Sequence, residues 1–538
     1  MTKPGNSGPF DRRTFLAASG IALAGVGPFL HLRRGRHDLV LRGGTVFDGL
    51  GNPGIEADVA ISGDRIAAIG ARLAERGSEE IDVRGLAVAP GFIDIHSHAD
   101  GNLQADPRAE SVIRQGITTV VVGADGGSRT DLGEYFRSLE TLQPAINVAS
   151  MIGLGSVRGG VVGANDRPAT PQELDRMRTL VERALIDGAC GASSGLEYTP
   201  GAFASEAELI ELCRPLKARR LPYATHMRNE DDRVLESIRE SLAVAKGAGV
   251  PLQISHLKMQ GPRNWPRLDD AFRMIESAHA EGVDVAFDRY PYVAYSTGLT
   301  NLFPVWSRDG GTDAFLARLA DPTTGTRIRQ ETLAKIELIG GWDNVLITSV
   351  REAQDRSAEG QRLGRWAAEQ GDDPLAAAIG LLERNRGSVG MVGFAMSEEN
   401  LERILAHPLG MVCSDGGSFA VEGPARRGSP HPRGLGSFPR VLGRYARDRR
   451  IFSLEQAIRR MSSLPADRVG LSRRGRLVPD SPADLVVFDY ATVTDRASFE
   501  APFQYPEGIP LVIVNGSVTL RDGDRQGRGT GRAIRPGV

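Results

Sequence analysis

The sequence predicts an α/β chain: a (β/α)8 TIM-type barrel with a small β-sandwich formed by both ends of the mature chain. Strand-like apolar runs alternate strictly with helix-like segments through the long middle of the chain, which calls for a parallel sheet. Eight such units suit closure into a barrel, with an open doubly wound sheet as the alternative. Short strands separated by turn glycines lie near both termini, and the simplest packing joins them.

Along the chain, residues 1–36 form a leader. Arg12 and Arg13 stand directly before an uncharged, glycine-interrupted stretch from Phe15 to Leu30, too short for a membrane span. This resembles a twin-arginine export signal, with Asp11 where Ser or Thr is usual, and implies a periplasmic or extracellular protein. No AxA cleavage motif stands directly before "RRGRHDL". Residues 37–89 hold the strand-like "DLVLRGGTVFDG", "DVAISGDRIAAIG" and "IDVRGLAVAPG", and residues 471–538 hold "ADLVVFDYATV" and "LVIVNGSVTLRDG". These two segments make the sandwich. Residues 90–470 make the barrel, whose strands are "AVAPGFIDIHSH", "ITTVVVGADG", "INVASMIGLG", "GASSGLEY", "PYATHMR", "PLQISHLK", "VDVAFDRYPY" and "GMVCSDGG". Extra helical and Gly/Pro-rich material at about 298–400 reads as an insertion before the eighth strand.

Composition narrows the partners. With 65 Lys+Arg against 67 Asp+Glu the net charge is only −2, so no global field favours nucleic acid or an anionic membrane, and a small-molecule substrate is expected. The three cysteines, Cys190, Cys213 and Cys413, are too few and too scattered for a disulfide framework or a cysteine zinc site.

Catalytic groups of such barrels sit at the C-terminal ends of the strands. In "PGFIDIHSHAD", His96 and His98 alternate with Ile95 and Ser97 and project from one face. Asp125 ends the second strand, His226 the fifth, His256 the sixth and Asp415 the eighth; the remaining histidines fall in the leader, helices or loops. Each residue alone has a bland reading as a capping or turn residue. Four imidazoles and two carboxylates in register at strand ends suit a borderline divalent ion, zinc first.

The motifs "PGFIDIHSHAD", "GITTVVVGADG", "SSGLEYTPG", "YATHMRNE", "QISHLK", "DRYPYVAYST", "FAMSEENLERILAHPLGMVCSDGG" and "HPRGLGSFPRVLGRY" resemble the amidohydrolase superfamily, and within it the N-acyl-D-amino-acid deacylases, from about Asp38 to Asp522. The resemblance implies a zinc-dependent hydrolase of N-acyl-D-amino acids holding one or two zinc ions. His96 and His98 would be a ligand pair, Asp125, His226 and His256 the tighter site, and Asp415 the proton shuttle beside the pair. It assigns the substrate carboxylate to Lys258, Tyr290, Ser296 and Arg433, and places Tyr198 near the acyl group. Two departures stand out: Asp125 occupies the place of the family's usual cysteine, and the stretch between His256 and Asp415 is long. The fourth strand carries no lysine, which disfavours the carbamylated-lysine chemistry of hydantoinases and dihydroorotases. Another amidohydrolase reaction, on dipeptides, cyclic amides or lactones, is the alternative, and a non-catalytic binding barrel a more distant one.

Overall fold

The computed structural model describes residues 37–537. The leader and its twin-arginine-like segment lie outside the described residues. No helix among the described residues is long and apolar enough to cross a membrane.

The described residues open with five strands, β1 (His37–Val46), β2 (Ile55–Ser62), β3 (Arg65–Gly70), β4 (Gly77–Asp82) and β5 (Ala87–Pro90). The barrel strands follow in parallel: β6 (Phe92–Asp94), β7 (Ile117–Val122), β8 (Asn147–Ser150) with its short continuation β9 (Ile152–Gly153), β10 (Ala192–Gly195), β11 (Tyr223–His226), β12 (Leu252–Ile254) and β13 (Val285–Arg289). An inserted sheet of β14 (Tyr295–Gly298), β15 (Val345–Val350) and β16 (Val389–Gly393) precedes the last barrel strand, β17 (Gly410–Val412). The strands β18 (Leu485–Phe488), β19 (Leu511–Val514), β20 (Ser517–Arg521) and β21 (Asp524–Arg525) then return to the first sheet.

The barrel closes where Asp415 N donates to the His96 carbonyl at 2.9 Å and His98 N to that of Gly416 at 2.9 Å. Helices between strands have local causes. The helix Pro171–Asp187 starts at a Thr170–Glu173 capping box with proline in its first turn and stops at Gly188, whose φ of 112° suits glycine.

The terminal strands join, as expected, in one nine-stranded sheet in the order β21-β20-β19-β18-β5-β1-β2-β3, with β4 also on β1. The expected first barrel strand, "AVAPGFIDIHSH", divides in two: Ala87–Pro90 belongs to this sheet, because it pairs with β18 and β1, and the barrel strand begins only at Phe92. The sheet is buried on both faces in its centre. In β18, Leu485 and Val487 face the small core with Leu39, Val59 and Ile513, while Val486 and Phe488 face the main barrel core with Phe92 and Phe438. The tail also leaves its expected domain: residues 531–534 run beside β8, with Val148 N donating to Arg532 O at 3.0 Å and Ile534 N to Val148 O at 2.9 Å. His37, the first residue after the expected leader, opens β1.

The insertion carries its own sheet, β14 and β15 each pairing antiparallel with β16. Its apolar side chains, including Phe303, Ile328 and Ile347, form one cluster with the inward-facing barrel residues Ile93, Val121, Ala224 and Met411.

Candidate metal centre and active site

Every expected ligand lies at or within four residues of a strand's C-terminal end. Ligand atoms of His96, His98, Asp125 and Asp415 lie within 4.8 Å of one another, and so do those of Asp125, His226 and His256. Asp125 belongs to both groups. Its Oδ1 is 3.4 Å from His96 Nε2 and 3.6 Å from His256 Nε2, while Oδ2 is 3.4 Å from His98 Nε2. Asp415 Oδ1 is 3.1 Å from His98 Nε2 and 3.5 Å from His96 Nε2. His226 Nδ1 and His256 Nε2 are 3.0 Å apart.

The donors fit a divalent cation. His96 Nε2 and Asp125 Oδ1 are buried and face each other, yet neither makes a hydrogen bond. Buried polar atoms are normally satisfied, so a pair left this way has the form of two ligand atoms aimed at one ion. The local field agrees. Burial opposes charge on His98, but Asp125 and Asp415 push its pKa up to about 9. Burial likewise opposes charge on His96, and the same two carboxylates hold it well above the usual imidazole range. Asp415 runs the other way: despite burial, Arg433 and His96 keep it ionised, below the usual carboxylate range.

Carboxylates that sequence reasoning left unassigned hold the ligands in place. Asp288, the penultimate residue of β13, accepts from His256 N at 2.8 Å and lies 3.4 Å from His96 Nδ1. Glu230, four residues after His226, is 3.1 Å from His256 Nδ1. Glu197 is 3.4 Å from His226 Nε2. Such outer partners fix the orientation of ligating imidazoles. Of the three, Asp288 had a legible signal, a carboxylate on the inward face of a parallel strand.

The expected substrate-binding residues Tyr198, Lys258, Tyr290, Ser296 and Arg433 line one cavity of about 690 Å³ together with His98, Asp125, His226, His256 and Asp415. Two of them are less free than the sequence suggested. Lys258 Nζ lies 2.6 and 2.8 Å from the Glu230 oxygens, and Arg433 Nη1 lies 2.7 Å from Asp415 Oδ2, because a cation this deeply buried requires a counter-charge. The Arg433 contact is at ion-pair distance without hydrogen-bond alignment, so Nη1 still has a proton to offer. Tyr290 is fully buried, has the Arg433 guanidinium 4.7 Å from its ring centre, and keeps a hydroxyl without a partner. His431, read as a loop histidine, also lines the cavity, its Nε2 2.9 Å from the Ala294 carbonyl. Ser296 comes from β14, so the insertion supplies part of the wall, joined there by Thr297, Asn301 and Lys335.

A parallel barrel with imidazoles and carboxylates gathered at its mouth defines the metal-dependent amidohydrolases, and residues 424–520 match a family model described as amidohydrolase family. Over 520 residues the chain is 36% identical to the D-aminoacylase of Alcaligenes xylosoxydans xylosoxydans, covering 92% of this chain and 97% of that protein. It is 38% identical over 503 residues to an N-acyl-D-glutamate deacylase from the same organism, covering 89% of this chain and 93% of that protein. The N-acyl-D-glutamate deacylase of Bordetella bronchiseptica, solved with zinc and a phosphonate mimic of the tetrahedral intermediate, superposes with a TM-score of 0.81 at 35% identity, covering 93% of this chain and 100% of that one. The chain belongs to the N-acyl-D-amino-acid deacylase family of amidohydrolases.

Proposed function

We propose that the protein is a zinc-dependent deacylase that hydrolyses N-acyl-D-amino acids to a carboxylate and a free D-amino acid. The observation that carries the reading is the meeting, in one cavity, of two potential ligand groups sharing Asp125 with the cations Lys258 and Arg433, which suit a substrate carboxylate. Its relatives are named for this chemistry.

Asp125, His226 and His256 would hold the tighter ion, and His96 and His98, with Asp415 beside them, a second. When bound, zinc supplies Lewis acidity at the acyl carbonyl and acidifies water toward a pKa of about 7. Asp415, kept ionised by Arg433, takes the proton of the attacking water on Oδ1. The C–N bond breaks as the new C–O bond becomes a carboxylate, and Asp415 returns the proton to the leaving nitrogen. Lys258, Ser296, Tyr290 and Arg433 orient the α-carboxylate. The segment at Arg12–Arg13 supports export of the folded enzyme to the periplasm or beyond.

The test is amine release from matched N-acetyl-D- and N-acetyl-L-amino acids by the zinc-loaded enzyme. Hydrolysis of D-substrates is expected. Turnover confined to L-substrates, or absent on the whole panel, overturns the proposal.

A further inference from the structure

The insertion reaches Tyr198 through a chain of hydrogen bonds whose direction is fixed at one end. Arg308 is buried, 8% exposed, and has no carboxylate partner among the described residues; its Nη2 donates to the Glu197 carbonyl at 3.0 Å and its Nη1 to Asn301 Oδ1 at 2.8 Å. A guanidinium can only donate, so the Asn301 amide must present its oxygen to Arg308 and its NH2 elsewhere. That NH2 donates to Thr297 Oγ1 at 3.0 Å. Among the described residues the Thr297 hydroxyl has one acceptor for its own proton, Tyr198 OH, and donates to it at 3.3 Å; accepting from Tyr198 as well would leave that proton unpartnered. Tyr198 therefore receives a hydrogen bond and keeps its own proton to give. Its ring centre lies 4.7 Å from that of His226, and it lines the cavity with Asp125 and Asp415.

We propose that Arg308, Asn301 and Thr297 are positioning residues that set the polarity of Tyr198, so that its phenol always donates into the site, onto the oxygen where negative charge gathers during acyl transfer. This rests on the deacylase reading. No proton moves along the chain; the three residues remove the alternative in which the phenol turns away and donates to Thr297. A donor aimed at the developing oxyanion is worth about 10²-fold or more in turnover, and chains of aligned hydrogen bonds strengthen each member.

Reversing one link tests the polarity without emptying the site. Asn301→Asp is nearly isosteric and keeps an acceptor for Arg308, but its carboxylate cannot donate. The Thr297 hydroxyl must then donate to that carboxylate and accept from Tyr198, which withdraws the phenol proton from substrate. Expected results are a fall in kcat of about 10-fold or more, approaching that of Tyr198→Phe, with unchanged zinc content and a thermal midpoint no lower than the parent's. A phosphonate mimic of the tetrahedral intermediate should bind more weakly by a similar factor. Thr297→Val should lose activity and Thr297→Ser recover it. In a Tyr198→Phe background, Asn301→Asp should have no further effect. Parent-like kcat and inhibitor affinity in Asn301→Asp, or an equal loss in the Tyr198→Phe background, overturns the proposal and leaves the deacylase reading intact. A parent enzyme inactive on every N-acyl-D-amino acid overturns both.

Discussion

Asp125, His256 and Asp415 all stand on left-handed backbone, with φ of 52°, 36° and 49°. Non-glycine residues held this way cost on the order of 1–3 kcal/mol each and persist where the surroundings over-determine them. Here each sits just past a strand end, so the turn of the backbone keeps the side chain beside a ligand from the neighbouring strand: Asp125 and Asp415 beside His96, His256 beside His226. Three predictions belong to this scale. Asp125→Cys replaces a hard oxygen by a softer thiolate and should hold zinc at least as tightly, measured by competition with a chelator; faster zinc loss than the parent would remove Asp125 from the ligand set. Asp415→Asn keeps the shape and removes the proton acceptor, so turnover should fall by about 10²-fold or more with zinc content near that of the parent; joint loss would make Asp415 a structural ligand instead. The third concerns pH. Asp125 and Asp415 push His98 up to about 9 and hold His96 well above the usual imidazole range, and both must be deprotonated to bind metal, so affinity for the second zinc ion should climb with pH from 6 to 9, with proton release on binding at neutral pH, read by calorimetry in buffers of different ionisation enthalpy. Flat affinity between pH 6 and 9 would contradict that local field. The imidazoles were legible in the sequence because strand alternation and strand-end placement act over a few residues. Glu230 and Glu197 were not, because whether a carboxylate four residues past one ligand turns back onto another is decided by loop packing.

At the level of elements, the loop after β17 is latched to the inserted sheet. Ser429 N donates to the Thr348 carbonyl at 2.6 Å, and Gly428, at φ 58°, passes so close that a Cβ there would lie 2.4 Å from the same oxygen. Arg427, Thr348 and Ser349 then share the cavity wall. Gly428→Val should push the loop off β15, lowering kcat/KM about 10-fold or more while zinc content stays constant, since misplacement of about 1 Å in substrate-positioning groups costs on that scale. Unchanged kinetics would show that the latch does not shape the site. The insertion's approximate limits could be read from composition, and its sheet could not. β14 and β16 are nearly a hundred residues apart, and antiparallel pairing over such a distance leaves no local pattern; Tyr295–Gly298 reads from sequence as the end of a loop motif.

For the whole molecule, eight parallel strands were visible because each carries its own apolar run, and the joining of both ends in one sheet followed from similar short strands at each terminus. What the sequence concealed was the tail. Residues 531–534 pair with the lower half of β8, and Asn515 donates to Asn147 Oδ1 at 2.7 Å beside them, tying the sheet's last strands to the barrel wall. Removal of residues 527–538 should therefore lower the thermal midpoint of the barrel itself, monitored by loss of zinc and activity together, whereas a merely decorative tail would leave both untouched. Protein synthesis runs towards the carboxyl end, and residues 531–534 are not yet made when β8, at Asn147–Ser150, has long since emerged from the ribosome. The wall beside the third barrel strand thus stays open until residues 531–534 have been made and have left the ribosome, and a chain that stops short of them lacks the piece that seals it.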